Sequence, residues 1–197
     1  MAPLTLRTIM PANGLTPSTL VEHLTRFRGS DLEDLCDAAD EAIRAGGGFG
    51  WVAPPPRVVM ERFWKGVLAV PERTLFVGRL DGVIAGSVQL VRPSRNNEAQ
   101  AHACTVTNTF VAAWARRRGL ARAIVTAATT MAQENGFRVV NLDVRETQGA
   151  ALALFESLGF QRWGTHPRYA LVDGKAVAGQ FYFLDLNPNP QAESPPQ

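Results

Sequence analysis

The chain has 197 residues, 46% of them hydrophobic, with 20 basic against 18 acidic side chains and a net charge of +2. That length and apolar share suit one compact domain with a sizeable core. No run reaches the ~18 apolar residues of a membrane span, and the charge is too balanced to argue by itself for nucleic acid as a partner; none is expected.

The first residues, MAPLTLRTIMPANG, lack a long apolar segment behind a basic start, so they do not read as a secretory signal. Arg7 without an early acid is a faint transit-peptide feature, which a first strand over Leu4 to Ile9 explains as well. Ser18 to Phe27 reads as helical. Ser30 and Glu33 have the spacing of a capping box, and Leu32, Leu35, Cys36, Ala39 and Ile43 form a helical stripe that Gly46 to Gly48 ends. The acids between Asp31 and Glu41 lie opposite that stripe and read as a solvated face, a weak pointer to a polycationic acceptor. Pro54 to Pro56 punctuate the chain, and a further helix is expected over Arg57 to Leu68.

From Thr74 the period changes to two. TLFVGRL and VIAGSVQLV are strands joined by Asp81-Gly82, a strong hairpin signal. Ala101 to Val111 is a long strand. Leu120 to Glu134 is a helix with Leu120, Ala123, Ile124, Ala127, Ala128 and Met131 on one face, stopped at Asn135-Gly136. RVVNLDV is a buried strand, and Gly149 to Leu158 a short helix. Tyr169 to Val172 and Gln180 to Leu186 make a last hairpin, an edge through which two copies could pair. One domain over 1–186 and a disordered tail over 187–197 are expected, the tail on its Pro-rich polar composition. The strand–helix–strand unit from Ala101 to Val144 requires a right-handed parallel crossover. The fold class is therefore α/β (α+β): a mixed, mostly antiparallel sheet flanked by helices.

Cys36 and Cys104 have neither a disulfide nor a metal spacing, so each reads as a small buried hydrophobe, no metal is expected, and a reducing cytoplasm is the default. The concentrated charge is Arg116, Arg117 and Arg118, just before Gly119 and a helix start. A helix N-terminus has free N–H groups and a partial positive charge, so with Arg122 nearby this turn suits a local anion such as a pyrophosphate. A solvated basic patch is the alternative reading of the turn alone. No G-x-x-x-x-G-K-[ST] and no G-x-G-x-x-G follow a strand, which disfavours nucleoside triphosphate and dinucleotide folds.

VAAWARRRGLA resembles the central motif of the GNAT superfamily of acetyl-CoA-dependent N-acetyltransferases. The motif [QR]-x-x-G-x-[GA] is met by Arg116, Gly119 and Ala121, with Val111 five residues ahead. The LDV strand and QGAALALFESLGF resemble the segments that follow in that family. The resemblance implies a sheet of about six to seven strands, with acetyl-CoA as co-substrate and an amine as acceptor. It implies that amides from Arg117 through Arg118, Gly119, Leu120 and Ala121 to Arg122 cradle the pyrophosphate. Thr109, Phe110 and Val111 would pair with the pantetheine beside a bulge that parts two strands. Gln148 stands where the family has an asparagine near the cofactor.

For the chemistry, Asp143 is the first base candidate, with His102 and Glu98 as alternatives. It lies on the opposite strand face from Leu142 and Val144, and pairing with Arg145 or Arg162 is its structural alternative. The family's acid tyrosine falls at Phe155, which has no proton to give and which also looks like core. Tyr169 and Tyr182 are the tyrosines available as substitutes. Phe49 and Trp51 could wall an acceptor pocket, with Trp163, His166 and Arg168 across from them. The resemblance implies transfer of an acetyl group to a primary amine by direct attack; the other reading is a non-catalytic acyl-CoA-binding module.

Overall fold

The computed structural model describes residues 17–47 and 50–187. The expected strand Leu4 to Ile9, Phe49, and the tail from residue 188 lie outside them.

Alternation and turn chemistry build the first half of the sheet. Strands β2 (Arg73–Leu80) and β3 (Val83–Val91) form a hairpin whose two-residue turn, Asp81 and Gly82, has φ of 50° and 86°. Both angles are left-handed, as a turn matching the strand twist requires. On the outer edge of β2 lies β1 (Thr19–Leu24), antiparallel. This corrects the expected helix over Ser18 to Phe27: β1 is an edge strand, exposed where it faces outward, and Leu24 is its buried end.

Helix α1 (Asp31–Arg44) follows, then α2 (Arg57–Ala69). Leu35, Cys36, Ala39 and Ile43 of α1 pack with Met60 and Trp64 of α2 against Leu75, Val77 and Ile84 of the sheet. The capping box does not form. Ser30 Oγ bonds Asp34, and the carboxylate of Asp31 turns back to accept the Arg28 N–H at 3.0 Å. The acids of α1 form a solvated face only in part, with Glu33 and Asp37 exposed and Asp31 buried, and most of them are paired. Asp31 pairs with Arg79 at 2.9 Å, Asp40 with Arg44, Asp37 with Arg57, and Glu41 accepts the Ala113 N–H at 3.0 Å.

The second half is the crossover. Strand β4 (Ala103–Val111) leads through a short 3-10 turn, Ala113–Ala115, to α3 (Leu120–Glu134), and then to β5 (Val139–Arg145), parallel to β4. Leu120, Ile124, Val125, Ala128 and Ala132 are buried in the core and Ala127 and Met131 pack against it; of the expected stripe only Ala123 is exposed. Gly136 at φ 81° and the Phe137 N–H to Ala132 carbonyl bond close the helix. Helix α4 (Gly149–Ser157) covers the same face. Strands β6 (Gln161–Val172) and β7 (Lys175–Asp185) form a hairpin longer than the sequence suggested. Among the described residues the sheet has seven strands in the order β1-β2-β3-β4-β5-β7-β6, antiparallel except for β4 and β5.

Candidate active site

The parallel pair holds only from Ala103↔Val139 to Thr105↔Asn141. Beyond it the strands part, and β4 from Val106 to Val111 turns an unpaired edge toward a cleft. The cause is visible on the other side of β4. Between Ser87↔Phe110 and Gln89↔Thr107 the strand carries one extra residue, and Asn108 there has φ 50°. Asparagine is among the side chains that tolerate this left-handed conformation. The bulge bends β4 away from β5.

Two hollows open along this divergence. The larger, about 880 Å³, runs from α1 to the start of α3; the smaller, about 470 Å³, lies over β5 and β6. They adjoin at Val52, Thr109, Arg145, Gln148 and Ala151.

The larger hollow gathers most of the expected cofactor residues. Thr109, Phe110 and Val111 reach it from β4, and Arg116, Arg117, Gly119, Leu120, Ala121 and Arg122 from the turn and the first turn of α3. Gly119 caps α3 at φ 75°, with Arg117 also left-handed at 62°. The first turn of α3 contains no acid and has no side-chain cap, so no side chain of its own occupies the N–H groups at its start. Arg116 is braced by its Nε bond to the Val111 carbonyl at 3.3 Å, and Arg122 donates to Ser157 on α4 at 2.6 Å. Arg118 is exposed and does not line this hollow. Thr109 Oγ1 is buried with no hydrogen-bond partner among the described residues. Gln148 is tied across the cleft to the Gly46 carbonyl, and Arg145 donates to the Gly47 carbonyl at 2.9 Å. The loop after α1 is thus held to the end of β5.

The smaller hollow holds the titratable groups. Asp143 faces it from β5, and the Tyr169 hydroxyl donates to its carboxylate. This replaces the arginine pairing that the sequence left open: no described cation lies within ion-pair distance of Asp143. Burial first, then the bond to Asp143 and its charge, push Tyr169 up to about 12, with Arg145 pulling weakly the other way. The tyrosine is therefore a neutral proton carrier at ordinary pH. Two irregularities in β6, between Arg162 and Gly164 and between His166 and Ala170, deliver it. Its ring stands edge-on to Phe181 at 5.7 Å and lies against Gly179.

Tyr182 goes elsewhere. It pairs with Leu142 on the opposite sheet face, is buried, and donates to Glu156 of α4 at 2.9 Å. Phe155 is buried edge-on to Phe160 and touches the smaller hollow, not the larger. His102 and Glu98 lie before β4, and neither lines a hollow. Trp51 packs on Phe63 at 5.0 Å and also borders the larger hollow, while Trp163, His166 and Arg168 are exposed on β6 outside both. Cys36 and Cys104 are buried, which raises their thiols to about 11 and about 12. Neither is a ready nucleophile. Among the described residues no group of three His, Cys, Asp or Glu side chains could hold a metal, and no helix is long and apolar enough to cross a membrane.

Residues 34–160 match the model of the acetyltransferase (GNAT) family. The chain belongs to that family. It is 69% identical over 128 residues to an uncharacterized N-acetyltransferase of the hisH-hisA intergenic region of Azospirillum brasilense, a match covering 65% of this chain and 76% of that one. Its fold matches an N-acetyltransferase from Staphylococcus aureus Mu50 at a TM-score of 0.73 and 17% identity, over 85% of this chain and 98% of that one. It also matches yncA from Salmonella typhimurium, an acetyltransferase solved with its cofactor acetyl-CoA, at 0.71 and 14%, over 87% and 96%. The seven-stranded sheet with one parallel pair is the GNAT fold, and the chain is an N-acetyltransferase by family.

Asn108 and Gly179 are not singled out by the sequence reading, and Arg145 enters it only as a possible partner of Asp143. Asn108 carries no chemical signature, though an asparagine inside a β pattern is a bulge signal. Gly179 shows its purpose only once Tyr169 is placed. Arg145 was visible by alternation, two residues from Asp143 and on the same face.

Proposed function

We propose that this GNAT enzyme moves an acetyl group from acetyl-CoA directly to a primary amine. Asp143 is the base and Tyr169 the proton donor. The observation that carries the reading is the Tyr169–Asp143 hydrogen bond in the hollow that adjoins the parted strands.

The residues of the larger hollow fit acetyl-CoA. An uncapped, acid-free helix start beside Arg116 and Arg117 suits a pyrophosphate, the open edge of β4 offers backbone groups to an extended amide chain, and Thr109 Oγ1 lacks a partner among the described residues. When bound, acetyl-CoA would supply a thioester carbon for the amine to attack and a thiolate to leave. Asp143 takes the proton that a primary amine carries at neutral pH. Tyr169 holds its own proton up to about 12 and can give it to a departing thiolate. Asp143, bonded to the same hydroxyl, then returns its proton to Tyr169, and the second proton that the nitrogen loses on becoming an amide passes to solvent, so both groups end the cycle as they began. The high thiol pKa values of Cys36 and Cys104 favour direct attack over an acyl-cysteine.

The test is calorimetric titration with acetyl-CoA, followed by amine-dependent thiol release. Wild type should bind one equivalent. Gly119→Glu places a carboxylate at the anion site and a side chain at φ 75°, a conformation costing about 1–2 kcal/mol, and should lose binding. Asp143→Asn should keep binding and lose about 10²–10⁴ in turnover. Absence of binding by wild type would overturn the cofactor assignment, and full activity in Asp143→Asn the base.

A further inference from the structure

Asp143 and Arg145 stand two residues apart on β5, so their side chains leave the same face of the strand, about 6.5 Å apart along it. Both line the smaller hollow, and they are the charged residues among its lining. Opposite charges at this spacing commonly close on each other. Here they do not. Tyr169 holds the carboxylate, and the Gly47 carbonyl holds one guanidinium nitrogen. No described carboxylate comes within ion-pair distance of Arg145. A guanidinium has five N–H donors in a planar fork, and one such bond leaves most of that fork available to a ligand.

We propose that the acceptor is a free α-amino acid with an uncharged side chain, and that Arg145 is the anchor for its carboxylate. The inference rests on the proposed transfer reading and narrows its acceptor. An amine alone would satisfy Asp143 and leave Arg145 facing an empty wall. A zwitterion answers both charges at once, with its amine directed to Asp143 and its carboxylate to the fork. The hollow of about 470 Å³ has the size of a small-molecule site. The rest of its wall mixes apolar side chains, Val52, Val106, Val144, Phe155 and Leu171, with the neutral polar Thr107, Asn108, Thr109 and Gln148, and among the described residues it offers no third charge to a longer ionic side chain. A peptide N-terminus presents a neutral carbonyl at the position of the carboxylate and would use the fork less well.

The test compares L-amino acids with uncharged side chains with their own carboxamides, by thiol release in the presence of acetyl-CoA. An amide lowers the basicity of the adjacent amine, so more of it is neutral at pH 7.5; intrinsic reactivity therefore favours the amide. At least one acid should nevertheless exceed its amide at least tenfold in kcat/KM. In Arg145→Met that ratio should fall to threefold or less, and Arg145→Lys should restore part of it. Loss of the Gly47 bond alone would lower acid and amide together and leave the ratio unmoved. Calorimetric titration of the same acids and amides into the protein saturated with coenzyme A provides a readout without turnover. Turnover of amines with no acid exceeding its amide, or a ratio unchanged in Arg145→Met, overturns the anchor and leaves the transfer reading standing. Binding of acids that Arg145→Met abolishes, without turnover of any acceptor, supports the anchor and overturns the transfer reading. No binding of any acid and no turnover of any acceptor, acid, amide or amine, overturns both.

Discussion

The ring of Tyr169 occupies the space a side chain at Gly179 would need. A Cβ built on Gly179 falls 2.7 Å from both Cβ and Cδ1 of Tyr169, closer than real Cβ atoms approach. Gly179 on β7 pairs with Arg145 on β5 and with His166 on β6, so it lies under the point where the hairpin curls over the cleft. The glycine is the seat on which the hydroxyl is aimed at Asp143.

Gly179→Ala should therefore act through Tyr169. Overpacking at a closely packed position costs about 1–3 kcal/mol, some of it relieved by tipping a partly exposed ring outward. Turnover should fall at least tenfold, with acetyl-CoA affinity retained. In a Tyr169→Phe background, Gly179→Ala should cost far less turnover, because the group it displaces is already silent. Equal losses in both backgrounds, read as a double-mutant cycle, would show that the glycine acts by another route.

The titration of Tyr169 gives a second test. Burial and the Asp143 carboxylate hold the phenol up to about 12 from an ordinary 10. Tyrosinate absorbance from this side chain should stay low until well above pH 10, and Asp143→Asn should bring its onset down. The sign for stability follows. The folded state holds the proton more tightly than the unfolded state, so the contribution is complete below pH 10 and is lost as pH rises from 10 to about 12. Tyr182 is also raised, by burial and then its bond to Glu156, so the spectrum should be read in Tyr182→Phe as well. An onset unchanged by Asp143→Asn would mean the hydrogen bond is not made in solution.

Phe155 leads to a third expectation. A tyrosine there would correspond to the family's acid, yet the ring is buried against Phe160 at 5.5 Å and the hollow it borders already contains the Tyr169 hydroxyl. Phe155→Tyr should therefore leave kcat within about threefold of wild type and lower the melting temperature, since a hydroxyl buried without a partner costs about 1–3 kcal/mol. A tenfold gain in kcat would show that wild type lacks an effective acid and would remove Tyr169 from that role.

These relationships explain which parts were legible in the sequence. Helix α3 was read from Leu120 to Glu134 because a strong period meets a glycine at one end and Asn135-Gly136 at the other. The Asp81-Gly82 hairpin was equally plain, its turn chemistry being local. Strand β1 is not legible, because TLVEHL has no clear alternation and becomes a strand only by pairing with β2. Most of β6 is hidden for a related reason: Pro167 and two irregularities in its pairing break the period that would announce it. The choice between Tyr169 and Tyr182 was beyond the sequence too. FYF alternates aromatics on both faces, and only the pairing of Tyr182 with Leu142 turns its hydroxyl away from Asp143.

The frame that carries the site depends on Asp31, whose carboxylate bonds the Arg79 guanidinium and the Arg28 N–H while Arg79 also pairs with Glu22 of β1. Burial works to raise this carboxyl, but the bonds from Arg79 and Arg28 prevail and hold it below its ordinary 3.8. A depressed carboxylate stabilises the fold above its unfolded pKa, and that contribution disappears as pH falls through the folded value. Asp31→Asn keeps the size of the side chain and loses the charge. At pH 7 it should cost about 1.5–3 kcal/mol, the worth of a hydrogen bond to a charged group. Thermal melts of the two proteins should differ fully at pH 6–7 and converge below about pH 4. A difference that persists unchanged at low pH would mean that Asp31 acts by shape rather than charge, and that β1, β2 and α1 are joined by packing alone.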